Sequence, residues 1–138
     1  MEIPVSRWHA AISQRRSIRR YAPRPVEAGL LEAMRQVCSE FRPFQSARAV
    51  LVSDPPEGIY WGIPGGYGKI KGAHALVAFV GDMQSPDVQE AVGYTGEGII
   101  LEATALGLAT CWVGGLFRPG VAARIAGTAE NERVLAVT

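Results

Sequence analysis

Apolar residues in this chain either recur every three or four positions or run almost unbroken, and the two patterns divide it into helices and strands. Residues 4–14 open with Pro4, which suits a first helical turn, and place Val5, Trp8, Ala11 and Ile12 on one helical face. Residues 26–41 repeat the pattern with Leu30, Leu31, Met34, Val37, Cys38 and Phe41, and Pro43 then stops the helix. Residues 47–53 (ARAVLVS) read as a short strand. Residues 74–81 (HALVAFVG) read as a strand buried on both faces, because the apolar run is nearly continuous. A long helix is predicted over residues 85–108, with Ser85 as N-cap and Asp87 in the first turn. Its stripe is Val88, Ala91, Val92, Thr95, Ile99, Ala103 and Leu106, and Gly107 ends it. At about 1.5 Å per residue it would reach about 35 Å, and its many Ala and Gly residues suit a central position. Residues 109–115 (ATCWVGG) and 131–138 (NERVLAVT) read as strands, with a short helix over 119–127 between them.

Composition narrows the class. The 138 residues suffice for one domain, here residues 1–138, and 48% hydrophobic content supports a real core. A net charge of +1 removes any global electrostatic case for nucleic acid. Cys38 and Cys111 stand far apart and outside any C-x-x-C pattern, which argues against a disulfide framework or a zinc site and fits a reducing, cytoplasmic setting. His9 and His74 are isolated, so no metal site is expected. The start of the chain lacks the apolar core of a signal peptide. Glu102 interrupts the most apolar segment, which excludes a membrane span.

Charge is nevertheless concentrated in one place. Residues 14–26 (QRRSIRRYAPRPV) gather Arg15, Arg16, Arg19, Arg20 and Arg24 around Ser17, and no acidic residue occurs from position 3 to 26. Like charges this close repel, and each arginine fork matches two phosphate oxygens through charge-assisted bonds of about 1.5–3 kcal/mol each. The residues alone allow a site for a phosphate or another compact dianion, or a solvated basic loop paired with surface carboxylates. Pro23 and Pro25 favour extended backbone, so the cluster falls at a helix end and in the loop after it.

RRSIRRY followed by a proline-containing link resembles the N-terminal signature of the FMN-dependent nitroreductase family. In that family an R-[RH]-S run, with a basic residue two places after the Ser, holds the flavin's phosphate, ribityl chain and pyrimidine edge. The matching positions are Arg15, Arg16, Ser17 and Arg19. A second passage, GLATCWVGGLF, resembles the helix-to-strand passage whose end lays backbone amides against the isoalloxazine ring, which implies that role for Gly114 and Gly115. Many family members have Glu where Gly114 stands, so only the backbone role carries over. The loop before the first strand often carries S-x-N-x-Q-P-W in the family; here it is RPFQSARAV, in which only the Gln45–Ser46 region could correspond, with Gln45 the candidate, and the Asn is missing.

The resemblance implies an α+β fold with a mainly antiparallel sheet flanked by helices, and a homodimer with FMN at the subunit interface. It also implies hydride transfer from NAD(P)H through flavin N5 to a small-molecule acceptor such as a nitroaromatic or quinone. No side chain would be catalytic, since the flavin carries the chemistry. The family domain normally continues beyond the last strand. A flavin-binding module without turnover and an RNA- or anion-binding domain are the competing readings, the latter disfavoured by the net charge.

The remaining candidates are weaker. Residues 54–72 (DPPEGIYWGIPGGYGKIKG) fit neither phosphate-loop spacing, since Ile63 and Lys71 stand where glycine is required. They read as a loop bordering a site, with Tyr60, Trp61 and Tyr67 able to stack on a ring, or as a plain surface excursion. Cys111 is expected to be an inert core thiol and Trp112 a core or interface residue. Glu97 and Glu102 are expected on an exposed helix edge, with a dimer contact or pairing to the Arg cluster as alternatives.

Overall fold

The central strand of the sheet is the one whose sequence is most uniformly apolar. In the computed structural model, which describes residues 1–61 and 69–138, β2 (Ala75–Asp82) lies between β1 (Ala47–Ser53) and β3 (Glu132–Val137), antiparallel to both. Pairing runs from Ala47 opposite Gly81 to Ser53 opposite Ala75 on one side. On the other side Ala78 opposes Val137, with an irregularity at Phe79–Val80. Side chains alternate across a strand, so β2 feeds two cores. Val77 and Phe79 join α1 (Val5–Ile12), α2 (Ala28–Glu40) and α3 (Val88–Ala105). Leu76, Ala78 and Val80 join α4 (Pro119–Ala126) and the passage around Cys111–Phe117. The expected α+β fold with a mainly antiparallel sheet and a long central helix is what the structure shows.

The ends of the sheet's outer strands are tied across β2. Arg48 donates from Nε to Glu132 Oε1 at 2.8 Å and from Nη2 to Oε2 at 2.6 Å, a bidentate pair between β1 and β3. The Arg48 hydrogen bonds hold the Glu132 carboxyl well below its ordinary range, at about 2.

Four expectations are corrected. The long helix starts at Val88, not Ser85, because Asp82 and Ser85 form a turn: Asp82 Oδ1 accepts from Gln84 N–H and its carbonyl from Ser85 N–H. The helix is therefore 18 residues, about 27 Å. Its end is as predicted: Gly107 has φ +78°, and Leu108 N–H reaches back to Ala103 O. In α1, Trp8 and Ala11 are buried but Val5 and Ile12 are exposed, since the contact face is narrow and centred between the first two. Residues 109–115 form no strand of the sheet. Thr110 bridges Ser17 in parallel and Val113 bridges Val137 antiparallel, and two opposed pairings three residues apart cannot extend into one ladder. Finally, Glu102 is 3% exposed rather than on an open edge. Tyr67 and the glycine-rich centre of its loop lie outside the described residues.

Candidate functional site

The Arg cluster begins where α1 ends. Gln14 and Arg15 N–H both donate to Ala11 O, and the backbone then runs extended. Ile18 N–H donates to Thr110 O on one side. On the other side Lys71 N–H donates to Arg19 O and Tyr21 N–H to Lys71 O. An extended segment sends alternate side chains to opposite faces. Arg16 and Ile18 face a cleft with Thr104 and Gly107. Arg19 faces a different cleft of about 170 Å³, walled by residues 111–116 and including Gly114 and Gly115.

The structure thus brings Arg19 and the glycine pair to one site. Among the described residues the Arg19 guanidinium has no carboxylate or carbonyl partner, and the amides of Trp112, Gly114 and Gly115 have no acceptor. Nothing lies within 4 Å of where a Cβ would stand on either glycine, so the backbone there is open to approach. A cation and residues with unused N–H donors lining one cleft suit an anionic or carbonyl-rich ligand edge.

The other predicted residues are placed differently. Arg15 turns toward α3, its Nε 3.7 Å from Glu97 Oε1. Arg16 Nη1 donates to Ser13 O and Arg15 O at 2.8 Å, closing the end of α1, on the face away from Arg19. Ser17 is exposed, and its hydroxyl has no partner among the described residues. Gln45 is exposed in the turn before β1 and does not line the Arg19 cleft; its neighbour Phe44 meets Tyr94 of α3 edge-on at 5.6 Å. Tyr60 and Trp61, expected as stacking rings, lie elsewhere. Trp61 Nε1 donates to Phe117 O beside α4, and Tyr60 borders an apolar cavity of about 130 Å³ with Tyr21, Met34 and Leu51. Burial pushes the Tyr60 hydroxyl up to about 12 and raises that of Tyr21 too. Cys111 is buried at 3% exposure, as expected of a core thiol, and burial pushes the Cys38 thiol up to about 12.

Sequence reasoning underrated Glu97. Its Oε2 accepts from Trp112 Nε1 at 2.8 Å, while its Oε1 faces Arg15. This links α3, the Arg segment and the wall of the cleft. Trp112 reaches Glu97 because Gly96 leaves room: a Cβ there would stand 2.2 Å from the indole. The partners are 15 residues apart in sequence, and no local pattern signals the pairing. No group of metal-ligating side chains occurs among the described residues, and no helix there is long and apolar enough to cross a membrane.

Residues 8–137 match the protein family described as "Putative TM nitroreductase". No curated protein matches. Among solved structures, the chain is similar to a nitroreductase family protein from Clostridium difficile 630 (22% identity, TM-score 0.69, covering 92% of this chain and 78% of that one). It is also similar to a nitroreductase with bound FMN from Bacteroides fragilis NCTC 9343 (21% identity, TM-score 0.71, 94% and 84%). A nitroreductase family protein from Clostridium novyi NT is similar over nearly the whole chain (15% identity, TM-score 0.71, 99% and 82%).

Proposed function

This chain belongs to the nitroreductase family, and from that premise we propose that it is an FMN-dependent oxidoreductase that moves a hydride from NAD(P)H to a small acceptor such as a nitroaromatic or quinone. The observation that carries the reading is one cleft lined by Arg19, Gly114 and Gly115, whose guanidinium and amides have no hydrogen-bond partner among the described residues. The residues fit a flavin. Arg19 supplies a positive charge for the pyrimidine edge of the ring, and the glycine amides supply N–H donors for its N5–O4 edge. Arg15 and Ser17, farther back along the same segment, are the anchors for the polar tail. Arg16, on the opposite face and bonded to the carbonyls of Ser13 and Arg15, takes no part in this pose. Bound FMN supplies the hydride chemistry. The chain's own part is to bind, orient and place charge, and no side-chain acid, base or nucleophile is assigned.

A cleft of about 170 Å³ covers only one edge of such a ligand. We therefore propose a homodimer in which a second copy covers the remainder. Exposed Val5 and Ile12 on α1 support a further apolar contact, being 69% and 60% exposed.

The test is the visible spectrum of the purified chain, mixed with excess FMN and desalted on a column that also reports size. A flavin band retained on a dimer-sized species is expected. Colourless protein would overturn the flavin assignment for this chain. If flavin is retained, anaerobic addition of NADH or NADPH should bleach the band. A band that neither donor bleaches would make the chain a flavin-binding module without turnover.

A further inference from the structure

Glu97 is the one carboxylate that touches the Arg cluster among the described residues. The contact has three features that a structural ion pair lacks. It is long, with a nearest approach of 3.7 Å from Nε, and no nitrogen of the Arg15 side chain makes a hydrogen bond among the described residues. Both side chains remain open to water, at 30% and 43% exposure. The carboxylate is nonetheless held in place, because Trp112 Nε1 binds its other oxygen at 2.8 Å, and Gly96 makes the space that seats the indole. A fixed negative charge is thus kept beside a loosely engaged arginine whose fork is available.

We infer that Glu97 is a built-in counter-anion: it occupies Arg15 while the site is empty and sets how strongly the site takes a phosphate dianion. The inference rests on the reading of Arg15 as an anion anchor. Two effects act in the same direction. Arg15 must give up part of its attraction to Glu97 when a phosphate arrives, and the phosphate then feels the nearby carboxylate as a like charge. Five arginines within ten residues would otherwise attract any polyanion in the cell, and one fixed carboxylate lowers that affinity without blocking the fork. Glu97 is accordingly a positioning and selectivity residue, not a catalytic one.

The experiment compares Glu97→Gln with the unaltered chain, using inorganic phosphate, FMN and riboflavin as probes. Glutamine keeps the oxygen that Trp112 needs and removes only the charge. Phosphate and FMN are expected to bind about 5-fold tighter, the factor that one charge–charge contact near 4 Å produces under water-like screening. Riboflavin, which has no phosphate, should bind unchanged. The gain should fall in the Arg15→Ala background, where only the direct repulsion between Glu97 and the phosphate remains, and shrink in about 1 M salt, where screening acts within about 3 Å. Equal shifts for FMN and riboflavin, or unchanged phosphate affinity, would overturn the inference, since a role exerted only through Trp112 gives that result. The two proposals fail separately. If phosphate responds to Glu97→Gln but no flavin is retained, the counter-anion stands and the flavin reading falls. If FMN binds and needs Arg15 but neither probe responds to Glu97→Gln, the flavin reading stands and the counter-anion falls.

Discussion

Helix α3 carries two glutamates that each meet an arginine and a tryptophan indole, and the two groups behave as opposites. Glu102 accepts from Trp8 Nε1 at 2.6 Å and from Arg7 Nη2 at 2.8 Å, and its side chain is 4% exposed. Glu97 accepts from Trp112 Nε1 at 2.8 Å but meets Arg15 only at 3.7 Å, and its side chain is 43% exposed. In the first group the carboxylate accepts both an indole N–H and an arginine N–H at short distance, and it is buried where α1 meets α3. A buried charge survives only when paired and hydrogen-bonded, so this group is a structural clamp. In the second, one oxygen is anchored and the other is left in partial contact with a solvated cation. The same three residue types therefore make either a clamp or an adjustable charge, and burial decides which.

The largest expected effect is on the clamp. Glu102→Ala leaves the buried Trp8 N–H without an acceptor and should destabilise the fold by about 3 kcal/mol, lowering the thermal midpoint by about 10 °C in a circular-dichroism melt. A loss below about 1 kcal/mol would show that the clamp is no tighter than the open group. Next is Arg15→Ala, which should weaken FMN binding by about 2 kcal/mol, roughly 30-fold, while leaving the melt in place. Arg19→Ala should instead slow flavin reduction by NAD(P)H more than it weakens binding, because the proposed pose sets its charge against the ring edge and not the tail. Equal, negligible effects of both substitutions on titrated FMN affinity and on reduction rate would remove the assignment of the cleft.

A third arginine–glutamate pair calibrates the other two. The Glu132 carboxyl is held at about 2 by its Arg48 hydrogen bonds, below an ordinary value of 4.5. A depressed folded-state value means that the pair contributes stability above about pH 4.5, and that this contribution fades as pH falls toward 2. Arg48→Met should flatten acid unfolding in that window, and an unchanged acid limb would contradict the pairing. Smallest of all, Glu97→Gln should move the melt by no more than about 0.5 kcal/mol, because an exposed pair contributes little to stability. A larger loss would make Glu97 a second clamp.

Much of this molecule was legible in local pattern. The apolar run of β2 announced a strand buried on both faces, and the stripe and terminal Gly107 of α3 announced a long central helix with a defined stop. RRSIRRY and the Gly114–Gly115 passage point to one family by residue type and spacing alone. These signals survive in sequence because periodicity, turn glycines and short motifs are properties of neighbouring residues. The strand expected over 109–115 failed for a matching reason. Its residues are strand-like, but whether they pair in a ladder depends on partners at 17 and 137, far away in the chain.

What only the tertiary structure decided is how charge is distributed around α3. Composition and spacing made Glu97 and Glu102 equivalent, two acids on a mostly apolar helix. Folding carried Trp8 and Arg7 over one and Trp112 and Arg15 over the other, then removed water from the first alone. It also turned Arg19 toward the glycine pair and Arg16 away from it, a consequence of side-chain alternation once the segment is pinned at Thr110 and Lys71. Sequence alone determined which residue types the site would contain. Long-range contacts decided which of them are free to act, because solvent access and the direction of a side chain are set by everything packed around it.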